Sequence, residues 1–411
     1  MAIVARATQT WTAKCSQCGH DPGADYFARC LRCGGVNELE FDLDPVRAVG
    51  RGWLTGRPHT IWGYSELLPT AAPGDPVSMG EGDTPLLLSA SRLRSTGRKV
   101  YWKNEAANPT WSHKDRYQSV ASTVARDLGF QGLTGSSTGN HGVSAAAYAA
   151  AAGLKSLIFY PPEMSTAFLH LTGLFGGQSA VAGWATRPKL LERVLARPGW
   201  CPVDDRNPFG PEGYKTIAFE IVRDLSGVPD MCFVPVGSGR LIVGLWKGFV
   251  ELKQARLTDT VPKMYACQAS GVGVVARALH DGADAIAFDP DVQTVALSTR
   301  ESTADRRVLA AVRQSGGEAI AIPEGMIIEG IRRYAAEGHA GEPASLLSML
   351  GFELLCDRGD VPPTAVSVCI MTSSLVKTPE LLPELNLRRP WRFGRDLTEL
   401  DRLLDEPEQG S

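Results

Sequence analysis

The sequence has no surplus of charge of either sign: 42 Lys and Arg stand against 45 Asp and Glu, a formal net charge of −3 at pH 7. A balance this even offers no electrostatic footprint for a polyanion or an anionic bilayer, so neither nucleic acid nor membrane is expected as a partner. Long hydrophobic runs are also missing. The longest apolar stretch, Val143 to Leu154, is about 12 residues and rich in Ala, against the roughly 20 that span a bilayer. The opening MAIVARATQTWTAK lacks the sustained apolar segment of a secretion signal. There is no internal repeat and no low-complexity tract. A soluble, cytoplasmic protein is the expectation. Nine cysteines are present, four of them within the first 33 residues and the rest scattered. An odd, scattered set in a large chain argues against a disulfide framework and for a reducing compartment.

With 411 residues, 44% hydrophobic and 21% charged, the chain has the bulk of an ordinary globular protein of two or three domains. Its first 45 residues differ in composition from the remainder. Arg51 to Pro76, with its Trp, Pro and Gly, reads as a tether with little regular structure. From Val100 onward strand-like and helix-like runs alternate. Lys99–Lys103, Ser156–Tyr160, Met231–Val236, Lys263–Gln268 and Ala365–Thr372 are expected strands. Asp115–Leu128, the Ala-rich run to Ala152, Tyr214–Leu225 and Leu241–Lys253 are expected helices. Such alternation implies an α/β fold with largely parallel sheets. The acidic tail after Arg395 is expected to be a terminal helix.

Cys15-Ser-Gln-Cys18 and Cys30-Leu-Arg-Cys33 are two Cys-x2-Cys pairs, each able to present two thiolates to one cation on a tight turn. Gly19 and Gly34-Gly35 supply backbone freedom just past each turn. Four sulfur ligands suit zinc best, and such a site would be closed and structural. The alternative is a relic knuckle whose thiols pack without metal.

Glu105-Ala-Ala-Asn108-Pro109-Thr110-Trp111-Ser112-His113-Lys114-Asp115-Arg116 puts a lysine where a polar loop turns into a helix. An amine so placed can condense with an aldehyde cofactor and later serve as acid and base. Taken alone, Lys114 is more simply a solvated surface lysine. Ser136-Ser137-Thr138-Gly139-Asn140-His141-Gly142 opens the Ala-rich helix, where small residues and free N–H groups suit an anion such as a carboxylate; a plain glycine turn with a helix cap is the bland reading. Val236-Gly237-Ser238-Gly239-Arg240 follows a strand and precedes a helix, an arrangement that suits a phosphate. A dinucleotide fingerprint fails there, because Ile242 stands where the third glycine belongs.

Asn-Pro-Thr-x-Ser-x-Lys-Asp-Arg, with GEGDTPL (Gly80 to Leu86) ahead of it and the cysteine pairs before both, resembles the threonine synthase branch of fold-type II pyridoxal-phosphate (PLP) enzymes, from Cys15 to about Pro379. The resemblance implies that Lys114 carries the cofactor and that Asn140 reaches its phenolic oxygen. It implies that Ser137, Thr138, Gly139 and His141 face the substrate, and that Gly237, Ser238, Gly239 and Arg240 face the cofactor phosphate. Arg240 departs from the small residues usual in that loop, and pairing with the phosphate or pointing to solvent are both open. Thr372 matches the hydroxyl beside the pyridine nitrogen; a buried strand threonine is the alternative.

Four residues around the site depart from the pattern. Gly210, in Asn207 to Thr216, stands where an arginine is usual; His141 replaces a small hydroxyl residue; Trp111 and His113 replace Gly and Phe. An arginine–phosphate contact is charge-assisted and often bidentate, so its loss bears on the substrate, and His141 offers a neutral-pH donor in exchange.

The implied architecture is a zinc ribbon at 1–50, a tether at 51–76, a large PLP domain from 77–102 and 184–395, a small α/β domain at 103–183 and a tail at 396–411, with homodimerisation expected from the family. The implied activity converts O-phosphohomoserine and water to threonine and phosphate. Alternatives are β-elimination or β-replacement on serine-, threonine- or phosphoserine-like amino acids, and a non-catalytic zinc-ribbon protein on the same fold.

Overall fold

The computed structural model describes residues 11–70, 74–89, 98–286, 289, 291–300 and 305–385. The tail expected at 396–411 lies outside them. In chain order the described elements are β1 (Trp11–Cys15), β2 (Asn37–Phe41), α1 (Asp44–Val49), β3 (Leu86–Leu88), β4 (Lys99–Asn104), α2 (Lys114–Asp127), β5 (Gly132–Ser136), α3 (Asn140–Ala151), β6 (Lys155–Tyr160), α4 (Thr166–Leu174), β7 (Gln178–Val181) and α5 (Arg187–Leu195). They continue as β8 (Trp200–Pro202), α6 (Glu212–Leu225), β9 (Met231–Pro235), α7 (Arg240–Gln254), β10 (Lys263–Ala269), α8 (Val274–His280), α9 (Arg306–Ser315), β11 (Ala319–Ile322), α10 (Glu324–Ala336), α11 (Pro343–Asp357) and β12 (Val366–Met371). The five strands expected between Lys99 and Thr372 and the four expected helices are β4, β6, β9, β10, β12, α2, α3, α6 and α7, with ends moved by one or two residues.

Three sheets organise these elements. β1 and β2 form an antiparallel ribbon. A six-stranded sheet runs β11-β10-β9-β12-β4-β3, parallel except for the antiparallel edge strand β3. A four-stranded parallel sheet runs β7-β6-β5-β8. All five residues of β9 are buried, which is why it reads as an unbroken apolar run: helices cover both faces of a parallel sheet. No helix among the described residues is long and apolar enough to cross a membrane.

Two expectations need correction. The stretch expected to be a tether carries 3₁₀ segments at Gly50–Leu54 and Ile61–Leu67 and buries Trp53, Ile61, Tyr64 and Leu67 almost completely. Trp53 and Tyr64 meet Phe219 of α6 with ring centroids 5.3 Å away. Its apolar residues follow no helical or strand period, so periodicity could not reveal that they dock. Secondly, β8 pairs with β5 and α5 packs against the same sheet, so this layer extends past the boundary expected at residue 183.

The N-terminal ribbon is packed onto the main body through rings. Phe209, fully buried, meets Trp11, Tyr26 and Phe27 at centroid distances of 5.3, 5.6 and 5.5 Å.

Between α2, α6 and β4 lies a charged cluster with no access to water. Arg116 pairs with Glu105 at 2.7 Å and with Glu220, and Lys103 pairs with Glu220 at 2.7 Å. All four side chains are at most 1% exposed. Thr84 joins it, donating to Glu105 at 2.7 Å and accepting from Arg116 at 3.1 Å. Burial alone would raise the pKa of Glu220, but Arg116 and Lys103 override it and hold the carboxyl well below the usual range. Removing one partner leaves an uncompensated buried charge, so Arg116→Met should lose about 3–5 kcal/mol of stability. Chemical denaturation measures this, and a loss under about 1 kcal/mol would contradict a clasp of this kind.

Candidate active site

Lys114, Asn140 and Arg240 are each the first residue of a helix: α2, α3 and α7. α3 and α7 start just after the ends of β5 and β9, and helix starts carry free N–H groups and partial positive charge. All three side chains line one cavity of about 840 Å³. Ser137, Thr138, His141, Gly237, Ser238, Gly239 and Thr372 line it as well. Gly139 sits behind the wall, where a Cβ would stand 2.7 Å from the ring of Phe168.

The lysine is held by its neighbours in sequence. The His113 N–H donates to the Thr372 carbonyl at 2.9 Å and its Nδ1 lies 3.1 Å from the same oxygen. Asp115 accepts from the Thr110 N–H at 2.6 Å and from the hydroxyls of Thr110 and Ser144. Trp111 takes a left-handed φ of 58°, the conformation in which a glycine at that position is unstrained. Burial and, after it, the nearby Arg240 push the Lys114 amine down to about 7, with Glu342 opposing. The amine is therefore substantially neutral, and nucleophilic, near pH 7.

Thr372 is 5% exposed, with its Oγ1 2.9 Å from Ser345 Oγ. Asn140 donates to Glu342 at 2.9 Å, while its own Oδ1 is buried and has no protein partner. His141 is fully committed: Nε2 donates to the Val203 carbonyl at 2.5 Å and Nδ1 lies 3.3 Å from the Gln118 amide nitrogen. Burial, Arg240 and Lys114 together depress its pKa well below the usual value, so the ring is a neutral part of the wall. Arg240 points into the cavity, its guanidinium 5.5 Å from the Tyr117 ring centroid.

Sequence reasoning missed Glu342 and Ser345 at the start of α11. Glu342 is 2% exposed and accepts hydrogen bonds from Asn140 and Ser298. Glu-Pro-Ala-Ser, a helix start with proline at its first position, was the available signal.

The sulfurs of Cys15, Cys18, Cys30 and Cys33 all lie within 4.8 Å of one another. A tetrahedral ion with bonds of about 2.3 Å needs sulfurs about 3.8 Å apart, so the group is compatible with a metal site.

Residues 77–373 match the pyridoxal-phosphate dependent enzyme family, and the chain belongs to it. Threonine synthases are among its relatives. One from Methanocaldococcus jannaschii is 33% identical over 402 residues, 96% of this chain and 99% of that protein. One from Methanosarcina acetivorans is 32% identical over 89% of this chain and 92% of that protein. Among solved structures, maize serine racemase superposes with a TM-score of 0.64 at 20% identity over 74% of this chain and 91% of that one. The processed form of threonine deaminase isoform 2 from Solanum lycopersicum gives 0.63 at 20% identity over 74% and 88%. These two show the fold alone. The chain is thus a PLP-dependent, threonine synthase-like lyase.

The cavity fits that cofactor. Gly239, at φ +79°, packs so closely that a Cβ would meet Val308 at 2.2 Å, and it immediately precedes the start of α7, the end of a helix that suits a phosphate. The orphaned Asn140 Oδ1 is a buried acceptor that a ligand hydroxyl would satisfy. Only the neutral amine of Lys114 attacks an aldehyde. Covalent uptake of the cofactor, followed as the growth of its visible band, should therefore quicken as pH rises through about 7 and level off above it. A rate still climbing toward pH ~10.5, the range of an ordinary lysine, would contradict the depressed value.

Proposed function

We propose that the protein converts O-phosphohomoserine and water to threonine and phosphate. The observation that carries this reading is the convergence of Lys114, Asn140, the Gly237–Gly239 loop and Thr372 on one cavity, in a chain aligned almost end to end with a threonine synthase.

Lys114 would hold PLP, with Asn140 at its phenolic oxygen, the Gly237–Gly239 loop toward its phosphate, and Thr372 at its ring nitrogen. When bound, PLP supplies an electron sink for a carbanion at the substrate's α-carbon. The amine of Lys114 would serve as the base that removes the substrate's α-proton. Its low pKa suits it to carry a proton in both directions near neutrality. Ser137 and Thr138, just before α3, suit the substrate carboxylate, with Gly139 behind them and His141 fixing the wall beside it. The Thr372 hydroxyl, backed by Ser345, is neutral; beside the ring nitrogen it would leave that nitrogen largely unprotonated and moderate the sink.

The two α/β layers would clamp the cofactor between them, in a cytoplasmic homodimer. The four cysteines would hold one structural zinc ion. A second reading, elimination or replacement on serine-, threonine- or phosphoserine-like amino acids, is favoured by one observation: Gly210 offers no arginine to a phosphorylated substrate. Family membership and the lysine's placement speak against a non-catalytic role.

Purified protein should be yellow, and Lys114→Ala should abolish the visible band. It should release one phosphate per threonine formed from O-phosphohomoserine. No phosphate release, with turnover of serine or threonine instead, would replace the lead reading by the second. Elemental analysis should find one zinc per chain. Removing it with a chelator should change Trp11 emission as the ring cluster around Phe209 loosens; an unchanged spectrum after complete removal would mean that the ribbon folds without metal.

A further inference from the structure

Residue 210 has no room for a side chain. A Cβ built there would stand 2.3 Å from Cζ of Tyr117. That tyrosine is fixed: it is fully buried, its hydroxyl donates to the Asp204 carbonyl at 3.1 Å, and its ring packs edge-on against His141 with centroids 4.9 Å apart. Tyr117 therefore fills the space that an arginine at 210 needs.

A cation reaches the same ring from another element. Arg240 leaves the first turn of α7 and turns toward Tyr117, donating from Nε to Ser238 Oγ at 3.2 Å and approaching the Val203 carbonyl at 3.5 Å. Among the described residues no carboxylate pairs with it. The acids whose field it feels, Asp205 and Asp204, are paired with Arg29 and Arg206 respectively. A guanidinium enclosed in a cavity with only neutral acceptors is a ready partner for a ligand oxyanion. It also lies on the reacting side, since its charge is felt at the Lys114 amine. The neighbouring histidine is no competitor, because both His141 ring nitrogens are engaged.

We propose that Arg240 receives an oxyanion at the far end of the substrate's side chain, supplying from α7 the cation that position 210 cannot hold. The ligand class is an amino acid whose side chain ends in phosphate or a comparable anionic leaving group, and the proposal rests on the cofactor reading given above. The cofactor's own phosphate would lie over the Gly237–Gly239 loop at the start of α7, whereas the guanidinium turns away toward Tyr117 and Val203. A cation at the far end of the side chain also stabilises charge that develops on a departing oxyanion.

The test uses holoenzyme and inorganic phosphate as the probe, with binding read by calorimetry. Wild-type holoenzyme should bind phosphate, Arg240→Gln should bind it at least ten-fold more weakly, and Arg240→Lys should stay within a few-fold of wild type. Retention of PLP on dialysis should be unchanged in both variants. With O-phosphohomoserine, Arg240→Gln should raise KM at least ten-fold. Equal phosphate affinity in wild type and Arg240→Gln would overturn the proposal. So would loss of PLP from Arg240→Gln with phosphate binding intact, which would assign the guanidinium to the cofactor. Neither result touches the cofactor reading, which fails only if wild-type protein takes up no PLP or if Lys114→Ala keeps the visible band.

Discussion

A buried guanidinium holds the site in register. Arg116 stands two residues after Lys114 and ties the start of α2 to Glu105 before it, to Glu220 on α6 and to Thr84 in the Gly80–Leu86 segment. Two cations and two carboxylates enclosed together are tolerable only because each satisfies the others. The backbone that carries Lys114 is thereby fixed relative to three other parts of the chain. The neighbouring carboxyl of Asp115 does the same locally, closing the loop from Thr110 and reaching Ser144 on α3. A flexible lysine side chain thus stands on a backbone that cannot shift without breaking buried charge pairs.

The cavity's electrostatics follow from where the helices begin. Three helix starts point into it, and Arg240 adds a side-chain cation, while the acids at 204 and 205 are neutralised by arginines of their own. The result is a region with positive potential and little competing negative charge beyond Glu342. Burial first and Arg240 second lower the lysine pKa, and the same positive field suits phosphates and carboxylates.

Much of this was legible in the sequence because it rests on short local patterns. The parallel strands appear as apolar runs, the helix starts as glycine and hydroxyl clusters, and Lys114, Asn140 and Thr372 as motif positions. The unreadable parts depend on contacts between distant segments. Nothing local says that Trp53 and Tyr64 pack on Phe219, that β8 joins the sheet of β5, or that Glu342 lies beside Asn140. His141 is the instructive case. Its residue type suggested a donor free for substrate, but Gln118 and the Val203 carbonyl, 23 residues before it and 62 after it in sequence, take both its nitrogens.

Phe209 belongs to two neighbourhoods. One side of it closes the ring cluster with Trp11, Tyr26 and Phe27; next along the chain is Gly210, pressed on Tyr117, the ring that the Arg240 guanidinium faces. A shortened chain beginning after the ribbon would leave an exposed aromatic patch behind that ring. Ser16, Gln17, Arg29, Gly35 and Val36 line the pocket directly, so the amino-terminal ribbon is a panel of its wall.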